Sequence, residues 1–232
     1  MRVAIVGFGK MGREIEAMAA RRGHDVVWTL SRADNASGAG LTPERLSKAD
    51  AVFEFTAPDS AVVNLLALAR AGSTVICGTT GWQRELPRVT DAFARGGGGL
   101  VHATNFSVGV RLFFEAARAA AERFPRAGYA GYVVEEHHAE KRDAPSGTAK
   151  TLAALVAEAS ATKDAALPIS SVRAGTIPGT HRLVFESPED EVELVHRARG
   201  RAGFAKGAVW AAERIAGRRG VIEFGELLKE VS

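Results

Sequence analysis

Cysteine is nearly absent from the sequence, and long apolar runs are missing. The single cysteine, Cys77, excludes an internal disulfide and any zinc site built on several thiolates, so a reducing, cytoplasmic location is expected. No apolar run approaches the roughly 18 residues of a membrane-spanning helix, and the run at 3–6 is too short for the apolar region of a signal peptide. The protein is therefore expected to be soluble and to have no membrane partner.

A large excess of one charge is also lacking. Lys and Arg total 30 and Asp and Glu total 27, which gives a formal net charge of +3. The pI near 9.2 thus comes from a small basic surplus spread along the chain, whereas nucleic-acid binding needs a basic cluster. No nucleic-acid partner is expected, and a bias toward anionic small molecules fits. The 46% hydrophobic and 25% charged content is globular, and 232 residues allow one or two domains.

In the first half of the chain, short apolar runs alternate with helical patterns. The runs are residues 3–6, 26–30, 51–55, 74–77 and, after a glycine run at 96–99 predicted to be a flexible turn, 100–103. This alternation predicts a parallel sheet with helices on its faces. Pro58, Asp59 and Ser60 predict the start of the helix after the third strand.

From Asn105 onward the pattern changes. After a helix pattern, strands are predicted at 129–135, 169–174, 181–185 and 191–196. Strands that follow one another without helices between them predict an antiparallel or mixed sheet with its own core. A closing helix (205–216) and strand (221–224) are expected to rejoin the first domain.

The predicted fold class is therefore α/β. It combines a Rossmann-type doubly wound parallel sheet with a smaller α+β substrate domain whose sheet is mixed or antiparallel. The first domain is predicted at 1–105, completed by 199–232, and the substrate-binding and oligomerisation domain at 106–198.

A glycine motif, G-x-G-x-x-G, lies between the first strand and the first helix. It consists of Gly7, Phe8, Gly9, Lys10, Met11 and Gly12. In this position the glycines permit a tight turn and close approach of backbone amides to a pyrophosphate, whose charge the helix N-terminus favours. The motif predicts dinucleotide binding, and the alternative is a set of ordinary turn glycines.

The residues after the second strand bear on which dinucleotide binds. An acidic residue there holds the ribose 2′-hydroxyl of NADH, whereas a basic one accommodates a 2′-phosphate. Ser31 and Arg32 occupy this place, and Asp34 follows slightly later. Arg32 favours NADPH as the preferred cofactor or a tolerance of NADH as well, and the alternative is a solvated arginine.

The densest chemistry lies in residues 135–148. His is the side chain best suited to proton transfer near neutral pH, and Lys donates a proton or holds a carboxylate. Ser146, Gly147 and Thr148 are placed where a helix begins, which predicts an anion site suited to a carboxylate. The alternatives are a solvated charge run and a Ser146 that only caps the helix.

A metal site is the third alternative for this segment. His137 and His138 with Glu136 or Glu140 are suitable ligand types, but adjacent residues of a strand point to opposite faces. The helical H-E-x-x-H spacing is absent as well. We therefore predict no metal.

The same segment resembles the signature of the 4-hydroxy-tetrahydrodipicolinate (dihydrodipicolinate) reductase family. The matching string is Glu136-His137-His138-x-x-Lys141-x-Asp143-Ala144-Pro145-Ser146-Gly147-Thr148-Ala149. Strings at 75–81, 105–110, 172–175 and 207–209 also resemble family strings, in the family's order, so the similarity covers nearly the whole chain.

The resemblance implies a function and site residues. The family removes water from hydroxy-tetrahydrodipicolinate and reduces the ring with hydride from NADH or NADPH, in diaminopimelate and lysine synthesis. By matching position, His137 resembles the catalytic proton donor and acceptor, and Lys141 a proton donor. The positions that resemble substrate-binding ones are His138, Ser146, Gly147 and Thr148. Those that resemble cofactor-contacting ones are Gly7 to Gly12, Arg32, Gly78, Thr79, Thr80, Thr104, Asn105, Phe106 and Ser107.

The resemblance also implies a homotetramer built through the second domain and a small dicarboxylate substrate. Many family members have a glycine loop one residue longer and an acidic residue where Ser31 stands, and the chain is short at 31–51 and before Ser170. Two other functions are considered: a Rossmann oxidoreductase for an amino acid or sugar, and a non-catalytic dinucleotide-sensing protein.

Overall fold

The computed structural model describes residues 1–160 and 167–230. It forms two compact units, Met1–Ser107 with Ala202–Ser232 and, separately, Val108–Arg201. None of the helices in these described ranges has the length and apolar character needed to cross a membrane.

The structure describes ten strands and eight α-helices, and strands alternate with helices in the first half of the chain, as predicted. The strands are β1 (Arg2–Val6), β2 (Asp25–Leu30), β3 (Ala51–Glu54), β4 (Thr74–Cys77), β5 (Gly99–His102), β6 (Ala130–His137), β7 (Ile169–Arg173), β8 (Thr180–Glu186), β9 (Glu191–Arg197) and β10 (Gly220–Glu223). The helices are α1 (Lys10–Arg21), α2 (Pro43–Leu46), α3 (Pro58–Arg70), α4 (Leu86–Gly96), α5 (Val108–Ala121), α6 (Gly147–Ala159), α7 (Ala202–Ile215) and α8 (Phe224–Lys229).

The first unit is a six-stranded sheet in the order β10-β5-β4-β3-β1-β2, and every strand pair in it is parallel. Helices pack on both faces, so most residues of the central strands β1, β3 and β4 are apolar and buried. On one face of the sheet, Ala4 and Val6 pack in a core with residues of α3 and α4. On the other face, Ile5 packs beside Gly12 of α1. The chain order reverses between β1 and β3, which is where such sheets bind ligands. The predicted Rossmann-type sheet is confirmed.

The glycine run 96–99 differs from the predicted flexible turn. Helix α4 continues to Gly96 and β5 begins at Gly99. A Cβ at Gly96 would lie 1.8 Å from the carbonyl oxygen of Ala69, and one at Gly98 would lie 2.5 Å from that of Ser73. These glycines are therefore required for close approach of α4 to the end of α3.

The C-terminal end also differs from the prediction. The strand stops at Glu223, and helix α8 begins at Phe224. The Glu223 carboxylate accepts a hydrogen bond from the amide of Gly225 at 2.6 Å, which caps the helix. Helix α8 was not predicted from the sequence. Neither was the short helix α2, which begins with a proline after the capping residue Thr42.

The second unit is a four-stranded sheet in the order β7-β6-β8-β9. The pair β6–β7 is parallel and the other two pairs are antiparallel, so the sheet is mixed, as predicted. Helices α5 and α6 pack on it through a core that includes Phe113, Leu152, Leu183 and Phe185. Strand β6 continues two residues past the predicted end at Glu135, because pairing with β7 extends to His137.

Candidate active site

The glycine motif forms a tight turn between β1 and α1. Gly7 has φ +96°, and a Cβ there would lie 2.1 Å from the carbonyl oxygen of Phe55, so only glycine fits. Gly9 has open space where a side chain would project. Within the described ranges, the first-turn amides of Met11 and Gly12 have no acceptor. The turn is therefore a cradle of free amides suited to a phosphate group.

A cavity of about 320 Å³ lies beside this turn, at the carboxyl ends of β1, β2 and β3. Its lining residues are Gly7, Phe8, Gly9, Ser31, Arg32, Asn35, Phe55, Thr56, Ala57 and Ser60. Gly7, Phe8, Gly9 and Arg32 were predicted as cofactor residues. The other six lining residues, which are Ser31, Asn35 and four residues that follow β3, were not predicted. The cavity position and the free amides fit a dinucleotide.

Arg32 and Asp34 lie in the loop that follows β2. Arg32 is exposed and lines the cavity, and its side chain pairs with no other residue of 1–160 or 167–230. The Asp34 carboxylate accepts hydrogen bonds from Ser31, at 2.5 Å from Oγ and 3.1 Å from the amide, and these bonds lower the pKa of Asp34. An acidic group therefore stands at the end of β2 although Ser31 itself is neutral.

The other predicted cofactor residues follow β4 and β5. Gly78 packs against the Phe55 ring, Thr79 Oγ1 accepts the amide hydrogen of Thr56 at 2.7 Å, and the Phe106 ring centre is 6.0 Å from that of Phe55. The structure thus brings Gly78, Thr79 and Phe106 to the edge of the sheet that holds the glycine motif. The predicted residues that do not line the cavity are Lys10, Met11, Gly12, Gly78, Thr79, Thr80, Thr104, Asn105, Phe106 and Ser107.

His137 stands at the end of β6 in the second unit. It is buried, and its Nδ1 faces the carboxylate of Glu135, which is fully buried on the same strand. Arg173 Nη2 donates to Glu135 Oε1 at 2.7 Å, and the amide of Ser146 donates to the same oxygen at 3.3 Å. Burial lowers the pKa of His137, and the Glu135 charge opposes that shift. His137 is therefore a neutral base at pH 7 with a carboxylate behind it.

Glu135 carries its charge despite being buried. Burial alone would raise its pKa, but hydrogen bonds from Arg173 and Ser171, the charge of His137 and the Ser146 amide lower it to about 2. Glu135, Arg173 and His181 are site residues that were not predicted from the sequence. For Glu135, its i, i+2 spacing from His137 on a strand was the available signal.

His181, on β8, completes the cluster. Its ring meets that of His137 edge-on, with centres 5.1 Å apart, and its Nε2 lies 3.2 Å from Ser146 Oγ. Burial and the nearby charge of His137 lower the pKa of His181 to about 4.

Glu135, His137 and His181 are also metal-ligand types, with one potential ligand atom each within 4.8 Å of the others. The metal alternative considered from sequence grouped His137 and His138 with Glu136 or Glu140, so the structure assembles a different set. The guanidinium of Arg173 already contacts the carboxylate of this set, and a metal ion would compete with it. The arrangement therefore favours proton transfer over metal binding.

The remaining predicted residues surround the start of α6. Ser146 caps the helix, with its Oγ accepting the amide hydrogen of Ala149 at 3.2 Å. The next two amides, of Gly147 and Thr148, have no acceptor in the part of the chain that the structure describes. Lys141 Nζ lies 2.6 Å from Asp143 Oδ1.

His138 directly follows β6 and is half-exposed, and its ring has no hydrogen-bond partner among the described residues. The predicted substrate residues therefore offer free donors at a helix N-terminus, which suits a carboxylate.

Comparison with known proteins decides the family. Residues 1–106 match the model for the N-terminal part of dihydrodipicolinate reductase, and residues 109–228 match that for its C-terminal part. The chain belongs to the dihydrodipicolinate reductase family. A 4-hydroxy-tetrahydrodipicolinate reductase of Christiangramia forsetii is 31% identical, covering 100% of this chain and 99% of that protein. One of Natronomonas pharaonis is 36% identical, covering 94% and 96%.

A solved structure of the same family shares the fold. Dipicolinate-bound dihydrodipicolinate reductase from Paenisporosarcina sp. TG-14 superimposes with a TM-score of 0.79 at 24% identity, covering 96% of this chain and 97% of that one. This similarity supports the two-sheet architecture found here.

The low pKa of His181 makes stability depend on pH. The unfolded chain takes up a proton near pH 6.5, whereas folded His181 does so only near pH 4. The free energy of unfolding therefore falls as pH drops from 6.5 to 4, by about 3 kcal/mol from this residue. Urea unfolding at pH 7, 5.5 and 4.5 measures this effect. The free energy of unfolding should fall less with pH in His181→Gln than in the wild type and in His138→Gln, a control at a half-exposed histidine. Equal falls in all three proteins would contradict the assignment.

Proposed function

We propose that this chain is a 4-hydroxy-tetrahydrodipicolinate reductase. It reduces 4-hydroxy-tetrahydrodipicolinate to tetrahydrodipicolinate with loss of water, using a nicotinamide dinucleotide, in diaminopimelate and lysine biosynthesis. The observation that carries the proposal is the match of both parts of the chain to this family. The glycine cradle and the His137 cluster are consistent with it.

The residues around the start of α6 are proposed to bind the dicarboxylate substrate. The free amides of Gly147 and Thr148 and the hydroxyl of Ser146 suit one carboxylate. Lys141 and His138 add donors for substrate oxygens. A carboxylate that draws Lys141 toward itself would compete with Asp143, its present partner at 2.6 Å.

Proton transfer is proposed for His137 and Lys141. The bound dinucleotide supplies the hydride, and reduction of the ring leaves negative charge on its conjugated nitrogen. A nearby acid must neutralise that charge, and a positioned lysine ammonium or histidine is suited to do so. His137 is proposed to accept and donate the proton, and Lys141 to donate one.

The first unit is proposed to hold the dinucleotide, with NADPH preferred and NADH accepted. The amides at the start of α1 suit the pyrophosphate, and the unpaired guanidinium of Arg32 suits a 2′-phosphate. The Asp34 carboxylate beside Ser31 suits a ribose 2′-hydroxyl. The two groups together favour tolerance of both cofactors.

Arg32→Ala should raise the KM for NADPH about 10-fold and change the KM for NADH by less than about 2-fold. The reason is that the variant loses a cation whose proposed partner, the 2′-phosphate, is present only in NADPH. Steady-state kinetics with each cofactor measures this, with Arg21→Ala, an exposed arginine at the end of α1, as control. Equal effects on both cofactors would contradict a 2′-phosphate contact.

The activity itself is tested by following nicotinamide absorbance while an upstream synthase generates the unstable substrate. Oxidation of NADPH or NADH that depends on the synthase is the expected result. No oxidation with either cofactor would overturn the proposal. Binding of cofactor without turnover would favour a dinucleotide-sensing protein, and turnover with an amino acid or sugar instead would favour another oxidoreductase.

A homotetramer in the cytoplasm is also proposed. Helices α5 and α6 cover one face of the second sheet, whereas Tyr132, Val134 and Glu136 on the other are only half-buried in a single chain. That face suits subunit contact. A mass of four chains in light scattering is expected, and a monomer at micromolar concentration would overturn the tetramer.

A further inference from the structure

We propose that Glu135 is a positioning residue that orients His137 and holds its proton on Nδ1, leaving Nε2 as the reacting nitrogen. This inference rests on the proposed function of His137. Both side chains project from β6 two residues apart, so they share one face of the strand. Both are buried, and the carboxylate of Glu135 meets Nδ1 of His137.

The surroundings of Glu135 keep it anionic. Arg173 donates to one carboxylate oxygen at 2.7 Å, and the other oxygen faces His137. The strand register delivers this arginine, because Arg173 is paired with His137 across β6 and β7. With a pKa of about 2, Glu135 stays ionised beside Nδ1 and takes no proton from the ring. An ionised carboxylate thus selects the Nδ1–H form of the ring.

The opposite side of the ring is open because of a glycine. Gly179 has φ +145°, and a Cβ at that position would lie 3.1 Å from Nε2 of His137. A side chain there would crowd the reacting nitrogen. The imidazole is therefore held at Nδ1 by a charge and left accessible at Nε2.

The proton balance follows from this arrangement. Neutral His137 accepts a proton from the substrate at Nε2 and becomes an imidazolium, which the adjacent carboxylate stabilises. It later returns that proton to the substrate from the same nitrogen. Burial is the largest effect on the imidazolium and disfavours it. The charges of Lys141 and Arg173 also disfavour it, while the charge of Glu135 favours it. Removing the Glu135 charge leaves only the opposing groups.

Glu135→Gln tests the proposal, because it removes the charge and nearly preserves the volume. The kcat should fall about 10-fold or more, with the KM for substrate changed less than about 3-fold, and the acid limb of the pH–rate profile should move to lower pH. Glu135→Asp, which restores the charge, should recover part of the activity. Glu158→Gln is the control, since this exposed carboxylate near the end of α6 pairs with Arg118 instead. A kcat and pH profile in Glu135→Gln equal to those of the control would overturn the proposal.

A second measurement is made on the wild-type protein, so it requires neither enzymatic activity nor a correctly folded variant. Nitrogen-15 shifts of the wild-type His137 ring at pH 7.5 should show a proton on Nδ1 and none on Nε2. A proton on Nε2 would overturn the positioning role even in an active enzyme. If the wild type shows the expected tautomer but does not turn over the substrate, the proposed function fails and the positioning inference does not.

The same spectra distinguish the proposal from a metal site. Titration of the wild type with Zn²⁺ should leave the His137 and His181 ring signals unchanged at equimolar metal. Stoichiometric perturbation of both rings, lost in Glu135→Gln, would overturn the proposal in favour of a metal held by these three side chains.

Discussion

Replacement of His137 by alanine is expected to lower kcat about 100-fold or more, within the usual range for a positioned acid or base. The reason is the combination of a buried neutral imidazole with an ionised carboxylate behind it. Steady-state rates with the coupled synthase assay measure the effect. His24→Gln provides a control, because that histidine bonds Glu213 in the first unit and has no place in the His137 cluster.

The loss must be separated from unfolding. NADPH binding, measured by fluorescence, should be unchanged in His137→Ala, since the proposed cofactor residues all belong to the first unit. His137→Gln, which fills more of the ring's space, should be as slow as the alanine variant because its amide transfers no proton at neutral pH. Near-normal turnover in either folded variant would remove His137 from the proton-transfer role.

The glycine motif was predictable because its signals are local. A strand, a G-x-G-x-x-G turn and a helix follow one another within about twenty residues, and Gly7 is required by a contact with the strand end at Phe55. The cap at Ser146 is equally local, with its partner three residues away. Turns and helix caps depend on the backbone geometry of a few neighbouring residues. The residue types at those positions indicate that geometry directly.

The cluster behind His137 was not predictable in the same way. Glu135 and Arg173 are 38 residues apart, and His181 comes from a third strand. Their meeting depends on the order and register of β6, β7 and β8, which the sequence pattern alone leaves open. The sequence pointed to His137 as the candidate for proton transfer and missed the charged residues that surround it.

The loop after β2 shows a different limit. The sequence placed a neutral Ser31 where an acid is common, and this favoured NADPH. The structure has the Asp34 carboxylate folded back onto Ser31 at 2.5 Å. A turn brings the acid to the strand end from three residues further along, and such turns are hard to assign from residue type.

Glu54→Ala is expected to destabilise the protein by about 3 kcal/mol or more, which corresponds to a fall in Tm of about 6–12 °C. Glu54 ends β3 and is fully buried. Its carboxylate accepts hydrogen bonds from Thr79 Oγ1 at 2.7 Å, Asn64 Nδ2 at 3.1 Å and Thr56 Oγ1. Alanine would leave the buried donors of Thr79 and Asn64 without this acceptor.

The same carboxylate connects loops that surround the proposed cofactor cavity. Asn64 Oδ1 accepts from Asn35 Nδ2 at 2.8 Å, so one network joins the segments after β2, β3 and β4. Loss of Glu54 should therefore also raise the KM for the dinucleotide, by about 10-fold, while leaving the residues around His137 untouched. Calorimetry and cofactor kinetics check both effects against Glu44→Ala, which removes an exposed carboxylate that pairs with Lys48. A Tm within about 2 °C of the control would mean that the buried donors find other acceptors, and that the cofactor loops do not depend on this network.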